Sequence, residues 1–346
     1  MLRLNNTPLH VALTLVVLVA AADVYANDNL TAQIDQLVQD TYVDDMPGAA
    51  FIVVKDGEVL YRGAKGLANI ELGVPLTVDM VFRLGSITKQ FTAASIMLLE
   101  ERGKLKTTDT IDNHLPDYPE QYASKITIEH LLSHTSGIIT YTGIPGYMID
   151  KIRRELTTSE LVNVFKDLEP KSAPGELWAY NNSGYVLLGG IIEAVAKKSY
   201  EEFVQENIFD KLSMENSYYG GQRKLIPNRA AGYEISGDTI TNARFLSMTQ
   251  PHAAGSLLST VDDLAIWDEA LFSGKVVSDE SFRRMTTRGM LNDGEEHSYG
   301  YGLMISEVNG RKVVAHGGGI FGFVTFASHI VDENLFVAGF SNGPTR

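Results

Sequence analysis

Ser86 and Lys89 stand three residues apart in Ser86-Ile87-Thr88-Lys89, at the head of an apolar run (Phe91, Ala94, Ile96, Met97, Leu98, Leu99) whose spacing predicts a helix. Positions i and i+3 share a helix face, so the hydroxyl and the amine can meet. A serine hydroxyl is a weak nucleophile until a base takes its proton, and a lysine kept neutral in a desolvated pocket is such a base. The helix N-terminus also favours the negative charge that develops on an alkoxide or oxyanion. Chance alone supplies such a pair in a serine-rich chain, and a plain Ser86 N-cap beside a solvated Lys89 is the competing explanation.

A second polar cluster, Tyr180-Asn181-Asn182, lies in a loop that begins at Pro174-Gly175 and runs into an apolar helix from Val186 to Ala196. Tyr180 and Asn182 alternate, so in an extended loop both side chains point the same way. A phenol beside an ammonium can lose its proton below the ordinary pKa of about 10, making Tyr180 a proton shuttle from serine to leaving group. A third cluster, His316-Gly317-Gly318-Gly319, follows the strand Val313-Val314-Ala315. Glycines on a strand admit a ligand or a second backbone at close range, and an N–H there can complete an oxyanion hole with the N–H of Ser86. Taken singly, a polar loop and a glycine bulge account for both clusters.

Other chemistries fit less well. His130 and His134 are four apart on an apparent helix, a spacing that suits two metal ligands, but Leu131 stands where a metalloprotease needs glutamate. Cysteine is absent, which excludes disulfides, thiolate metal sites and a thiol nucleophile. No metal or cofactor is therefore expected. The net charge of −14, with no dense basic cluster, argues against nucleic acid; the partner expected from the chemistry is a small-molecule or peptide substrate.

The first 26 residues read as a signal peptide: Arg3, an apolar run from Val11 to Ala22, then Val24-Tyr25-Ala26 as a cleavage site. The run is about a dozen residues against the roughly 20 that span a bilayer, so no stable membrane span is expected after cleavage. The mature chain, starting near Asn27, is expected in the periplasm or outside the cell.

The elements that must position these residues follow from periodicity. A helix is expected over 31–43, then strands Ala49–Val54 and Val59–Tyr61 around an Asp56-Gly57 turn. The pattern is mainly helical from Ser86 to about Asp268. It returns to strands at Tyr299–Ile305, Lys312–Ala315, Gly322–Ile330 and Leu335–Phe340, with turns at Asn309-Gly310 and Asp332-Glu333-Asn334. Strands at both ends and helices between predict an α+β fold, with one antiparallel sheet built from both chain ends, flanked by helices and interrupted by a helical insertion. Residues 27–346 then form one unit, in which 27–85 and about 269–346 make a sheet subdomain and about 86–268 a mainly helical one. Tyr141, Tyr147, Trp178 and Tyr233 read as core and rim packing ahead of a specificity pocket.

The three clusters, in this order and separation, resemble the SxxK, YxN and HxG or KTG motifs of the superfamily of class C β-lactamases and penicillin-binding proteins, with its D-alanyl-D-alanine carboxypeptidase and esterase relatives. His134-Thr135-Ser136-Gly137-Ile138, Pro174-Gly175 and Ala253-Ala254-Gly255-Ser256-Leu257-Leu258-Ser259-Thr260 also match recurring segments, and the likeness runs from about Gln33 to Asn342. The resemblance implies a β-lactamase/transpeptidase-like fold with the site in a cleft between sheet and helices. It implies Ser86 as the acylated nucleophile, Lys89 as its activator and Tyr180 as general base or acid. Asn182 would bond Lys89 and the substrate amide, and Gly317 and Gly318 would line the substrate. The oxyanion donors would be the N–H groups of Ser86 and Gly319.

Two features depart from that pattern. His316 replaces the third-motif lysine, so a charge that titrates near neutrality would face a substrate carboxylate or the Tyr180 hydroxyl. Activity on carboxylate substrates would then fall as pH rises, and a peptidase or esterase is favoured over a dedicated β-lactamase. The sequence also stops at Arg346, directly after the final strand, where members usually add a C-terminal helix. The expectation is an exported serine hydrolase acting on an amide or ester, first of all a D-amino-acid peptide. The alternatives are a carboxylesterase, a class C-like β-lactamase, or an inactive binding or regulatory homologue.

Overall fold

Both halves of the main sheet come from opposite ends of the chain. The computed structural model describes residues 27–237 and 239–343; the expected signal segment, 1–26, lies outside them. Helix α1 (Asn27–Thr41) precedes strands β1 (Ala49–Lys55) and β2 (Glu58–Lys65). After a long excursion the chain returns as β3 (Met304–Val308), β4 (Arg311–Ile320), β5 (Phe323–Ile330) and β6 (Leu335–Ser341). The six strands lie in the order β3-β4-β5-β6-β1-β2, all pairings antiparallel, with Phe51 opposite Gly339 and Ile52 opposite Ala338.

Local chemistry makes the hairpins. Asp56 (φ 51°) and Gly57 (φ 80°) turn β1 into β2, and Asn309 (φ 52°) and Gly310 (φ 78°) turn β3 into β4. Two consecutive positive φ values match the right-handed twist of the flanking strands, and Asn, Asp and Gly adopt them at least cost. Alternation along the strands then buries both sheet faces. Ala49, Phe51, Val53, Val313 and Val337 pack under Ile34, Val38 and Tyr42, spaced four apart on α1 and the residue just beyond it. Ala50, Ile52, Val314, Ala338 and Phe340 face the larger core shared with helices α2 (Thr88–Glu101), α3 (Asn182–Ala196) and α4 (Val261–Phe272).

The stretch between β2 and β3 holds more strand than its sequence pattern suggests. Phe82–Arg83, Leu257–Ser259 and Tyr218–Tyr219 form a three-stranded sheet, and Tyr233–Ser236 pairs with Thr239–Asn242. These runs are too short for periodicity to separate them from turns. The strand expected over Tyr299–Ile305 begins only at Met304. A Cβ on Gly302 (φ 71°) would lie 2.5 Å from the carbonyl oxygen of Lys89, so the preceding chain bends to dock on the start of α2. That bend carries Tyr299 into the core.

Candidate active site

Ser86 lies in a single 3-10 turn, Gly85–Ile87, and α2 begins directly after it at Thr88. The turn is clamped from two sides. Leu84 N–H donates to Leu257 O at 2.9 Å, and Leu84 O accepts from Thr325 Oγ1 of β5 at 2.7 Å. On β4, a Cβ at Gly318 would fall 2.0 Å from Leu84 O, so only glycine lets the strand approach the Ser86 turn this closely. Gly85 (φ 54°) meets Gly319 in the same way, its hypothetical Cβ 3.1 Å from Gly319 N.

Lys89 follows one turn on and is wholly buried. Its Nζ lies 3.2 Å from Ser86 Oγ, 2.9 Å from Asn182 Oδ1 and 2.8 Å from the carbonyl oxygen of Ala254. Among the described residues no carboxylate pairs with it, and the faces of Tyr180 and Tyr185 stand 4.8 and 5.4 Å away. Removing an ammonium from water without a counter-ion disfavours the charged form, so burial drives the Lys89 pKa well below its ordinary value. A neutral amine has two N–H bonds and one lone pair. Two oxygens that can only accept, Asn182 Oδ1 and Ala254 O, take the former, which leaves the lone pair for the Ser86 hydroxyl.

The partners of Lys89 are themselves fixed. Asn182 is the first residue of α3, where Asn181 Oδ1 caps the helix by accepting from Gly184 N–H at 3.1 Å. Asn182 Nδ2 donates to Thr142 Oγ1 at 3.1 Å, which turns Oδ1 toward the amine. Thr92 Oγ1 donates to Ala253 O at 2.7 Å and so holds the 252–254 turn that presents Ala254.

Tyr180 sits in the extended loop just before α3, 37% exposed, with its hydroxyl near that of Ser86. Burial raises its pKa, and the nearby Ser86 hydroxyl offsets only part of that. Lys89 touches the ring face and does not pull the phenol down. The expected depression of the Tyr180 pKa is therefore corrected: the resting phenol keeps its proton.

A family model described as Beta-lactamase matches residues 34–346. The chain belongs to the β-lactamase family. Penicillin-binding protein 4* of Bacillus subtilis is 32% identical over an alignment covering 84% of this chain and 67% of that protein. D-aminopeptidase of Gluconobacter oxydans is 29% identical, covering 84% of this chain and 55% of the relative, so the chain spans about half to two thirds of these relatives' length. A D-stereospecific amidohydrolase from Streptomyces sp. superposes with a TM-score of 0.77 at 28% identity, covering 90% of this chain and 94% of its own. The octameric penicillin-binding protein homologue from Pyrococcus abyssi superposes at 0.75 with 29% identity, covering 93% and 74%. The β-lactamase/transpeptidase-like α+β architecture expected from the motifs is thus the fold this chain has.

Within this β-lactamase-family site, Ser86, Lys89, Tyr180 and Asn182 converge as their spacing suggested, although Asn182 reaches Lys89 from a helix start and not from an extended loop. His316 does not act as expected. It is 2% exposed; Nδ1 donates to Gly317 O at 2.6 Å, and Nε2 lies 2.8 Å from Tyr299 Oη. A carbonyl can only accept, so Nδ1 carries the proton and Nε2 accepts from the phenol. Burial, with Lys89 nearby, pushes the His316 pKa down to about 3. No titrating charge faces a substrate carboxylate there. Gly317 is half-buried on the strand, and Gly318 faces Leu84 and Thr325 instead of the cleft. Gly319 is open, and β4 beyond Ala315 pairs only with β5, so its other edge borders the cleft.

His134 (φ 62°) is buried behind Tyr180, its ring 4.4 Å from that phenol and 4.5 Å from Tyr299. Its Nδ1 accepts from Asn181 N–H at 3.1 Å, and its carbonyl accepts from Ala179 N–H, so the His134 segment is the bed on which the Tyr180 loop lies. His130 turns elsewhere and caps Thr127. Among the described residues no cluster of three or more His, Asp or Glu side chains could hold a metal ion. Of the aromatics read as packing, Tyr141 and Tyr147 are buried on Gln250, Tyr233 donates to Glu71 Oε2 at 2.6 Å away from the site, and Trp178 is half-exposed at the rim. Ala254 and Tyr299 were not anticipated in any role. A backbone carbonyl has no sequence signature, and Tyr299 is one tyrosine among 15.

Proposed function

We propose that this chain is a serine hydrolase that cleaves an amide or ester through an acyl-enzyme on Ser86, with D-amino-acid peptides as the substrate class. The observation that carries the reading is Lys89: fully buried, paired with no carboxylate among the described residues, and 3.2 Å from the Ser86 hydroxyl. The Ser86 proton passes to the Lys89 lone pair as Oγ bonds the substrate carbonyl carbon. The N–H groups of Ser86 and Gly319 hold the resulting oxyanion. As the bond to the leaving group breaks, Tyr180 O–H gives that group a proton and is resupplied from the Lys89 ammonium. Water then attacks the acyl carbon, the Ser86 C–O bond breaks, and the proton from water returns to Oγ.

The names of the relatives, a D-aminopeptidase and a D-stereospecific amidohydrolase, support D-configured substrates. Arg3, the Val11–Ala22 run and Val24-Tyr25-Ala26 support export to the periplasm, and among the described residues no helix is long and apolar enough to cross a membrane. The test is a panel of D-Ala-D-Ala peptides, D-amino-acid amides, p-nitrophenyl esters and nitrocefin, with a fluorophosphonate as a mass label. Wild type should turn over at least the D-Ala-D-Ala peptides, N-acylated ones first, and gain the label on the peptide containing Ser86. Equal labelling or turnover by Ser86→Ala would sink the reading.

A further inference from the structure

A cavity of about 460 Å³ opens beside Ser86. Ser86, Asn182 and Gly319 border it, and its apolar walls include Met148, Ile152, Leu246, Ile320, Phe321 and Phe323. Tyr180 is not part of its lining. A leaving group must lie against the acid that protonates it, which here is Tyr180. The other half of the substrate, the acyl half, therefore enters the cavity.

The polar side chains that reach this cavity already have partners. Tyr141 Oη donates to Gln250 O at 2.7 Å. Gln250 Oε1 accepts from Tyr147 Oη at 2.6 Å, and its Nε2 donates to Arg154 O at 2.7 Å. Thr142 Oγ1 accepts from Asn182 Nδ2. Among the described residues, no Asp, Glu, Lys, Arg or His lines the space. Three basic side chains come near without lining it: Lys89, whose amine bonds Ser86, Asn182 and Ala254 of the wall and whose pKa burial drives well below its ordinary value; Arg83, 5.6 Å from the ring of Phe323; and Arg244, 4.1 Å from that of Phe321 and paired with Glu234. A charged group placed in the cavity would lose its hydration and meet no opposite charge. An apolar group would gain by leaving water.

We propose that the acyl half of the substrate is uncharged and apolar, so that N-blocked or wholly hydrophobic acyl donors are selected over those with a free α-ammonium or a carboxylate on that half. This rests on the acyl-enzyme reading above. An aminopeptidase-type donor, with a free amine on its acyl half, is then a poor substrate. A carboxylate on the leaving half is not affected by this cavity.

The test is a set of p-nitrophenyl esters that share one leaving group: acetyl, hexanoyl, phenylacetyl, monosuccinyl and 6-aminohexanoyl, each normalised to its hydroxide hydrolysis. For wild type, kcat/KM for hexanoyl and phenylacetyl should exceed acetyl by about tenfold and both charged esters by about a hundredfold. In Met148→Asp the ratio of 6-aminohexanoyl to hexanoyl should rise by about tenfold or more. Charged esters turned over within about twofold of hexanoyl would overturn the proposal, whether or not the variant folds. Failure of the underlying reading looks different: acetyl ester hydrolysis that survives Ser86→Ala.

Discussion

Tyr299 donates its phenol proton to Nε2 of His316 at 2.8 Å, and both rings are buried behind the Tyr180 phenol. With Nδ1 donating to Gly317 O, both imidazole nitrogens are used by the neutral form. The third motif therefore contributes shape and backbone, and no switchable charge. Neutral and carboxylate-bearing substrates should give superimposable pH profiles of relative kcat/KM between pH 5 and 8. An extra limb confined to the carboxylate substrate would show that His316 ionises in the working enzyme.

The same depression bears on stability. His316 titrates at about 3 in the folded chain against 6.5 for the free side chain, so between those values the unfolded state binds more protons. Its contribution is complete above pH 6.5 and is lost as pH falls toward 3. Buried His134 and His252, also held below their ordinary pKa by desolvation, act in the same direction. Urea midpoints at pH 7.5 and 4.5 should differ by less in His316→Gln than in wild type, by up to a few kcal/mol after conversion with the m-value. An unchanged difference would contradict the assignment.

Lys89→Met keeps the length of the side chain and removes the base. It should lower kcat by about 10²–10⁴. It also strands Asn182 Oδ1 and Ala254 O without their donor, at about 1–3 kcal/mol of stability each. Because the amine must be neutral to act, wild-type kcat/KM should rise with pH through the depressed Lys89 pKa and stay level toward 9. Activity that begins only near pH 10 would indicate an ordinary, solvated lysine.

Tyr180→Phe retains the ring between His134 and Lys89 and deletes the proton. The loss should depend on the leaving group: about 10²–10⁴ in kcat for amides, whose nitrogen must be protonated to depart, and much less for p-nitrophenyl esters. Equal losses on both would give the phenol a structural role only.

The adjacent glycines of β4 should respond oppositely to one methyl group. In Gly318→Ala the new Cβ would meet Leu84 O at 2.0 Å and Thr325 Oγ1 at 2.2 Å, pushing the Ser86 turn off the strand. A loss of about 1–3 kcal/mol in stability and a clear fall in kcat are expected. Gly319→Ala meets nothing within 4 Å and should melt like wild type. Thermal unfolding of both variants with parallel ester assays checks the contrast.

What the amino-acid sequence determined by itself is what short-range geometry controls. Ser86 and Lys89 meet because positions three apart share a helix face. Asp56-Gly57 and Asn309-Gly310 make hairpins because those residues accept positive φ. The alternating runs near both chain ends had to find two buried faces, and the antiparallel sheet supplies them. The short strands at 82–83, 218–219 and 257–259 were not legible, since they exist only through pairing with one another. Protonation, too, was decided by tertiary structure alone. The Lys89 pKa is driven down because Ala254, 165 residues away in sequence, and Asn182 help to bury the amine. His316 is neutral because the chain bends at Gly302 and delivers Tyr299 to it. Desolvation depends on everything that surrounds a group, and a motif lists only its neighbours along the chain.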